Sequence, residues 1–293
     1  MNRDENGKRI TSGGYALGET QRDLTEGVRT YYDRQQNDRN LLLSGDTGIV
    51  NHHFGLGDLP RGRSLDSISQ DEIAAILHQL EMNQIDALLA RFGTIPDGAR
   101  VLDAGCGRGG STFVLLERSR AIVDGVTISP YQHGFAQELA VRRQVAARAR
   151  FHLMNYLSLD FPDGSFDFVF TNESTQYVVD IRDAYREFAR VLRGGGRYVN
   201  ATWCLNEEYA GKNEFEEPIN LHYGTSMNSR EEYVQALLEN GFEQIEVDDL
   251  TEYAMPYWDL RCRWQHRSGV ERAFLEGHRS RKILYLLVTA RIT

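Results

Sequence analysis

Apolar positions recur along this chain first at helical spacing, then in short strand-like runs set between helical ones. Leu24, Val28, Tyr31 and Tyr32 fall on one side of a 3.6-residue period, which predicts an amphipathic helix from Leu24 to Asn37. Residues 40–68 form a glycine-punctuated loop carrying Asn51-His52-His53-Phe54-Gly55. From Gln70 to Phe92 the positions Ile73, Ile76, Leu77, Leu80 and Leu88 define an apolar face, with Ser69 as cap and Glu72 completing a capping box. Strands are predicted at Arg100–Gly105, Ile122–Ile128, Ala149–Leu153, Phe166–Thr171, Gly196–Trp203, Gln244–Asp249 and Ile283–Arg291. Helical stretches between them include Tyr131–Gln144, Ile181–Leu192 and Arg230–Asn240. This alternation predicts an α/β fold: a mostly parallel seven-stranded sheet with helices on both faces.

Residues 204–226 and 251–282 interrupt the rhythm. Open α/β sheets bind ligands at the carboxyl ends of their strands, so both interruptions, with the amino-terminal helices, are expected to cap that crevice. The expected organisation is a flexible 1–22, a helical cap over 23–92, and a main domain over 93–293 with two lid insertions.

Charge narrows the partners. Lys plus Arg total 33 and Asp plus Glu 42, so the net charge is 33 − 42 = −9, and the basic residues are scattered. Nucleic acid binding, which depends on clustered cations displacing counterions, is excluded on that ground. Cys106, Cys204 and Cys262 form neither a disulfide framework nor a zinc spacing and are expected to be reduced. No apolar run reaches membrane-spanning length, and a cytoplasmic protein is expected. The amphipathic first helix suggests a homo-oligomer docked through it.

The stretch Val101-Leu102-Asp103-Ala104-Gly105-Cys106-Gly107-Arg108-Gly109-Gly110 runs from a hydrophobic strand into glycines, with a helix beginning near Ser111. Glycines let the backbone turn sharply and approach a ligand closely. Dinucleotide enzymes use such loops too. Asp103 argues against them, since a carboxylate there repels a pyrophosphate and suits a cationic amino group. No acid ends the next strand, as a nicotinamide site prefers.

Asp103 to Gly109 resembles the D-x-G-x-G-x-G signature of class I S-adenosylmethionine-dependent methyltransferases, whose fold is Rossmann-like. Gly125-Val126-Thr127-Ile128-Ser129-Pro130-Tyr131-Gln132 resembles the second-strand motif of the branch holding cyclopropane-fatty-acid synthases and tocopherol methyltransferases. The resemblance implies S-adenosylmethionine as cofactor, held by Asp103, Gly105, Gly107, Ile128 and Asn172. It places Thr127 and Gln132 on the ribose, unless they merely cap the following helix. Asn155 and Tyr156 follow the third strand, where such enzymes meet the adenine with an acidic residue; Asn keeps the hydrogen bonding and loses the charge.

Asn172-Glu173-Ser174-Thr175 ends the fourth strand. Glu173 there is either a hydrogen-bonded structural acid or a base with a raised pKa. A narrower resemblance, from about residue 31 onward, is to the geranyl diphosphate C-methyltransferases and a related methyltransferase-cyclase of the teleocidin pathway. It rests on an ordered set: His52-His53-Phe54-Gly55, Leu77-His78-Gln79-Leu80-Glu81, Asn172 to Thr175, Gly195-Gly196-Arg197-Tyr198-Val199, Ile219-Asn220-Leu221-His222-Tyr223 and Pro256-Tyr257-Trp258-Asp259-Leu260-Arg261. The implied chemistry is methylation of an alkene carbon of a geranyl-type chain through a carbocation. Such a cation gains about 0.5–2 kcal/mol from each desolvated ring it faces.

Glu173 is then the expected base, with Tyr223 and Tyr198 beside the cation and Trp203, His222, Tyr257 and Trp258 around the substrate. Tyr223 stands where the family carries Phe. The family's loop has three adjacent histidines after Tyr, whereas this chain reads Val50-Asn51-His52-His53. A diphosphate here would need Mg²⁺ together with Asn40, His52, His53, Arg61 or Arg63; a terpene already attached to another scaffold would not. No metal site is expected otherwise. Rival classes are O- or N-methylation of a phenol or amine, and a non-catalytic relic of a cofactor-binding fold that acts as an interaction or regulatory subunit.

Overall fold

The computed structural model describes residues 21–34, 39–59 and 65–293. Most of the expected flexible 1–22, the end of the first predicted helix, and Arg61 and Arg63 lie outside the described residues. The strands are β1 Arg100–Ala104, β2 Ile122–Thr127, β3 Ala149–Leu153, β4 Phe166–Asn172, β5 Leu192–Leu205, β6 Phe242–Asp249 and β7 Ile283–Ile292. They form one seven-stranded sheet in the order β3-β2-β1-β4-β5-β7-β6. Every pairing is parallel except those of β7, which runs antiparallel to β5 and β6. The strand order reverses between β1 and β4, and a ligand crevice opens outside the carboxyl ends of strands at such a reversal.

The described helices are α1 Gln21–Asp33, α2 Gln70–Ala90, α3 Gly110–Arg118, α4 Pro130–Arg142, α5 Ile181–Val191, α6 Glu216–Tyr223, α7 Arg230–Glu239, α8 Thr251–Arg263 and α9 Glu271–Arg279. The capping box of Ser69 and Glu72 forms as expected at the start of α2. The fifth strand begins earlier than the expected Gly196. Leu192 pairs with Phe166 and Arg197 with Phe168, so a bulge absorbs 193–196, a glycine run that gives no strand signal.

Three apolar clusters fill the interior. On one face of the sheet, α3, α4 and the end of α2 pack through Ile85, Leu88, Phe113 and Leu139. On the other, α5 and α7 pack through Tyr185, Phe188, Tyr233 and Leu237. The third cluster lies beyond the carboxyl ends of the strands, joining Phe54, the first half of α2, α8 and α9. It is built from the segments expected to cap the crevice. α2 thus serves two clusters, with Leu77 and Leu80 in the cap and Ile85 and Leu88 under the sheet. Burying each such side chain contributes about 1.5–3 kcal/mol. No described helix is long and apolar enough to cross a membrane.

Candidate active site

The first cavity is lined by every residue expected to hold the cofactor: Asp103, Gly105, Gly107, Thr127, Ile128, Gln132, Asn155, Tyr156 and Asn172. Parallel pairing of β1 with β2 and β4 brings the ends of these strands together. Gly105 has φ +89°, and a Cβ built there would lie 2.4 Å from the Cβ of Ser174. Only glycine permits both the turn and the close passage of the two strand ends. Asp103 is buried; its Oδ2 accepts a 2.7 Å hydrogen bond from the Thr112 hydroxyl. Burial raises its pKa to about 7 against that donor. An ammonium group seated beside it would draw the proton off and supply the missing countercharge.

At the start of α4 the side-chain cap is Ser129, whose own N–H donates to Thr127 Oγ1 at 3.2 Å. Its hydroxyl caps α4 by accepting from the Gln132 N–H, while Thr127 Oγ1 donates to Gln132 Oε1 at 2.8 Å across the cavity wall. Tyr156 donates to the Ser174 carbonyl at 2.7 Å, fixing the wall near Asn155. Asn172 lines the cavity with its amide engaged inside the protein. It donates to Gln84 and to Ser111 at 3.0 Å each, and accepts from Gln84 at 2.8 Å. The roof is α1, whose Gln21, Thr25, Val28 and Tyr32 also line the cavity. Asp33 pins it by accepting from the Ser129 hydroxyl at 2.6 Å, and Tyr32 meets Tyr177 hydroxyl to hydroxyl at 2.7 Å. Leu24 and Val28, the apolar side of α1, are buried within their own chain.

Glu173 lines both this cavity and a second one. It sits just past β4 at φ +52°, a left-handed conformation that non-glycine residues rarely adopt. Its backbone N–H donates to the Ala201 carbonyl at 2.8 Å, which fixes this turn against β5. Oε1 accepts from the Phe54 N–H and from the Tyr285 hydroxyl, each at 2.7 Å. Burial pushes its pKa up to about 8, opposed by the donors Tyr285, Phe54 and Trp203. No ion pair among the described residues engages it. A buried carboxyl with a raised pKa, held by two hydrogen bonds, has the properties expected of a base and also those of a hydrogen-bonded structural acid.

The second cavity shares Tyr32, His52, His53, Glu173 and Tyr177 with the first, so the two meet at the carboxylate. Phe54, Trp203, Tyr223, Tyr257 and Trp258 line it. Phe54 is central: its ring centroid lies 4.6 Å from Trp258, 5.0 Å from Tyr285 and 6.3 Å from Trp203. The loop presenting it is strapped down by Leu56 N–H to the Leu80 carbonyl at 2.9 Å and Gly57 N–H to the Tyr253 carbonyl at 3.0 Å. A Cβ on Gly55 would lie 2.5 Å from the Leu80 Cβ and 2.6 Å from the Tyr257 ring, so glycine is required between α2 and α8.

Arg34, Arg39, Asn40, His222 and Arg261 also line this chamber. Arg261 is buried, 3.8 Å from Glu271, and its Nε has no hydrogen-bond partner. Burial lowers the His222 pKa; Glu271 opposes this, while Arg39 and Arg261 reinforce it, which marks a clustering of positive charge. His52 joins Asn40, at 2.9 Å, to Arg108. His53 donates from Nδ1 to the Phe54 carbonyl at 2.8 Å, and burial lowers its pKa, leaving a neutral ring with Nε2 unpartnered. Among the described residues no group of three or more His, Cys, Asp or Glu side chains could hold a metal ion.

Tyr198 is a correction. It lines neither cavity; it is fully buried under α5, its hydroxyl 2.6 Å from Thr171 Oγ1 and its ring 5.4 Å from Phe188. Alternation explains this, since Tyr198 and Trp203 are an odd number of residues apart on β5 and face opposite sides. Sequence reasoning also missed Phe54 as ring and donor, the arginines Arg34, Arg39 and Arg261, and Tyr285. Arg261 was within reach: it follows Tyr257 by one helical turn and lies 5.9 Å over its ring.

A family model described as a methyltransferase domain matches residues 102–200. Geranyl diphosphate 2-C-methyltransferase of Saccharopolyspora erythraea is 36% identical over 267 residues, covering 90% of this chain and 93% of the relative. A solved geranyl diphosphate methyltransferase in complex with GPP and sinefungin superposes with TM-score 0.88 at 34% identity, over 92% of this chain and 100% of that one. The geranyl diphosphate C-methyltransferase of Streptomyces coelicolor, in complex with Mg²⁺, geranyl-S-thiolodiphosphate and S-adenosyl-L-homocysteine, gives TM-score 0.86 at 32% identity, over 92% and 98%.

Proposed function

The chain belongs to the geranyl diphosphate C-methyltransferase family, and from that premise we propose that it methylates an alkene carbon of geranyl diphosphate, with Glu173 as the base. It is an S-adenosylmethionine-dependent C-methyltransferase of terpenoids. The observation that carries the reading is Glu173 itself: a buried carboxyl with no ion-pair partner among the described residues, at the junction of the glycine-loop chamber and a ring-lined one.

S-adenosylmethionine supplies an electrophilic methyl on sulfonium, which leaves as a neutral thioether. Asp103 would hold its amino group, Gly105 and Gly107 give it room, and Thr127, Gln132 and Asn155 face its nucleoside. Across the junction the alkene gives its π electrons to the methyl carbon, and positive charge appears on the neighbouring carbon. Trp203, Tyr223, Tyr257 and Trp258 exclude water and turn π faces toward that charge. Glu173 then takes one proton, and the released C–H pair restores an alkene.

Arg34, Arg39 and Arg261 with His222 support a diphosphate at the other end of the chamber. Glu173 is the only carboxylate lining that chamber among the described residues, so Mg²⁺ would ride chiefly on phosphate oxygens, with Asn40 as a neutral donor. Incubation with labelled S-adenosylmethionine and either geranyl diphosphate or a geranylated indole, analysed by mass spectrometry, tests the reading. Methylated geranyl diphosphate, abolished by a chelator, is expected; turnover of the indole alone would make this a methyltransferase-cyclase instead. A cytoplasmic location is proposed on the free state of Cys106, Cys204 and Cys262. A homo-oligomer is proposed through the polar side of α1, its apolar side being occupied; unchanged gel-filtration elution without residues 1–37 counts against it.

A further inference from the structure

The reading of Glu173 as base leaves open what holds its carboxylate in place and keeps it able to accept a proton. Two of its hydrogen bonds come from the backbone of Phe54 and the hydroxyl of Tyr285, each at 2.7 Å. Tyr285 lies early in β7 opposite Trp203. It is fixed at three points: its N–H donates to the Thr251 hydroxyl at 2.9 Å, its carbonyl accepts from the Leu250 N–H at 2.8 Å, and its ring stacks on Phe54.

The polarity of its hydroxyl is set from behind. Gln84 Oε1 accepts from Asn172 at 3.0 Å, which turns the Gln84 amide nitrogen toward Asn172 Oδ1 at 2.8 Å and the Tyr285 oxygen at 3.0 Å. With Gln84 donating into that oxygen, the tyrosine O–H can point only at Glu173. Asn172 also donates to Ser111 at the start of α3, so the chain begins on the cofactor loop's helix and ends on the carboxylate. Every member is buried or half-buried.

We propose that Tyr285, oriented by Gln84, is a positioning residue that aims the Glu173 carboxylate at the junction of the two chambers and favours its proton-accepting form. Other titratable groups face the same region: Glu81 from α2, His53 from the loop, Tyr223 from α6, Tyr257 and Arg261 from α8, and His278 from α9. Glu81 is engaged by Tyr257 at 3.0 Å and by Asn51 at 3.5 Å. Proximity to Glu81 disfavours the ionised form of Glu173, and Tyr285 is the foremost of the three donors, with Phe54 and Trp203, that act the other way.

The proposal rests on Glu173 being the base, and the test separates the two. Turnover of geranyl diphosphate by full-length wild type, Glu173→Gln and Tyr285→Phe is followed from pH 6 to 10, with S-adenosylhomocysteine affinity measured alongside. Removing a donor from a carboxylate raises its pKa. Tyr285→Phe is therefore expected to move the acidic limb of kcat up by about one pH unit, roughly tenfold lower turnover below the limb, with cofactor affinity unchanged. Replacing Tyr285 by 3,5-difluorotyrosine keeps the shape and strengthens the donor, and should move the limb down. An inactive Glu173→Gln with limbs unmoved in both Tyr285 variants overturns the positioning role alone. An active Glu173→Gln overturns the base assignment and the proposal with it. Should Tyr285→Phe not fold, the fluorinated protein decides.

Discussion

The two chambers that meet at Glu173 are built in opposite ways. The cofactor chamber is built around strand ends and one glycine loop under the roof of α1, and many of its side-chain hydrogen bonds are closed within the protein: Thr127 to Gln132, Asn172 to Gln84 and Ser111, Tyr156 to the Ser174 carbonyl. Within it Asp103 has one acceptor bond and a pKa raised by burial to about 7, and Asn51 Oδ1 is unpartnered. The substrate chamber is made from pieces far apart in sequence, joined by ring packing and a few long-range hydrogen bonds such as Leu56 N–H to the Leu80 carbonyl and Tyr257 to Glu81. Rings line it, and buried polar atoms there are unpartnered, among them Trp258 Nε1 and Arg261 Nε, with His53 Nε2 on the wall that the two chambers share. A buried polar atom without a partner costs about 1–3 kcal/mol. The contrast teaches that one chamber is shaped chiefly by contiguous motifs at the strand ends, whereas the other takes its shape from segments that meet only in the fold.

The sharpest way to break that contrast is at the shared wall. Glu173→Gln keeps shape and loses the acceptor for the proton; kcat should fall by about 10²–10⁴-fold. Calorimetry with S-adenosylhomocysteine should find binding intact, and retained turnover would remove the carboxylate from the mechanism. Asp103→Asn comes next and should damage the other side only. A hydrogen bond to a charged group contributes about 1.5–3 kcal/mol, so S-adenosylhomocysteine affinity should drop by about 10- to 150-fold. Wild-type affinity should itself weaken as pH falls through about 7, because the Asp103 pKa is raised and its proton must leave before an ammonium can pair with it. A pH-independent affinity would speak against Asp103 as the partner. The smallest effect is expected at Tyr223. Tyr223→Leu should lower kcat by about 2- to 30-fold and Tyr223→Phe far less, if a ring face and not a hydroxyl serves the cation. Equal losses in the two variants would show that the hydroxyl matters.

The same contrast decides what was legible in the sequence. Asp103, Gly105, Gly107, Thr127 and Gln132 lie in short contiguous motifs whose geometry follows from strand, turn and helix; these could be read directly. Glu173 could be placed because the end of β4 must face the crevice. Phe54 could not be read as its donor, since 119 residues separate them and only the Gly55 passage between α2 and α8 brings the loop down. Tyr285 looked like one more strand residue because its importance lies in a hydroxyl bonded to residues from α2 and the end of β4. Tyr198 was misplaced by counting segments rather than faces. The loop signature was recognisable, but its rings and cations gain their meaning from lid packing, which has no local period.

Glu173 also stands at a backbone angle that most amino acids resist. Such a conformation carries a penalty of order 1–3 kcal/mol, which glycine escapes and asparagine largely does. On the proposed role of Glu173 as base, selection for catalysis and selection for robustness pull in opposite directions at this codon. In a lineage released from methyl transfer, drift to Gly or Asn here would be rewarded by a sturdier protein, so this position should be among the earliest to record that an ancestor's trade had been abandoned.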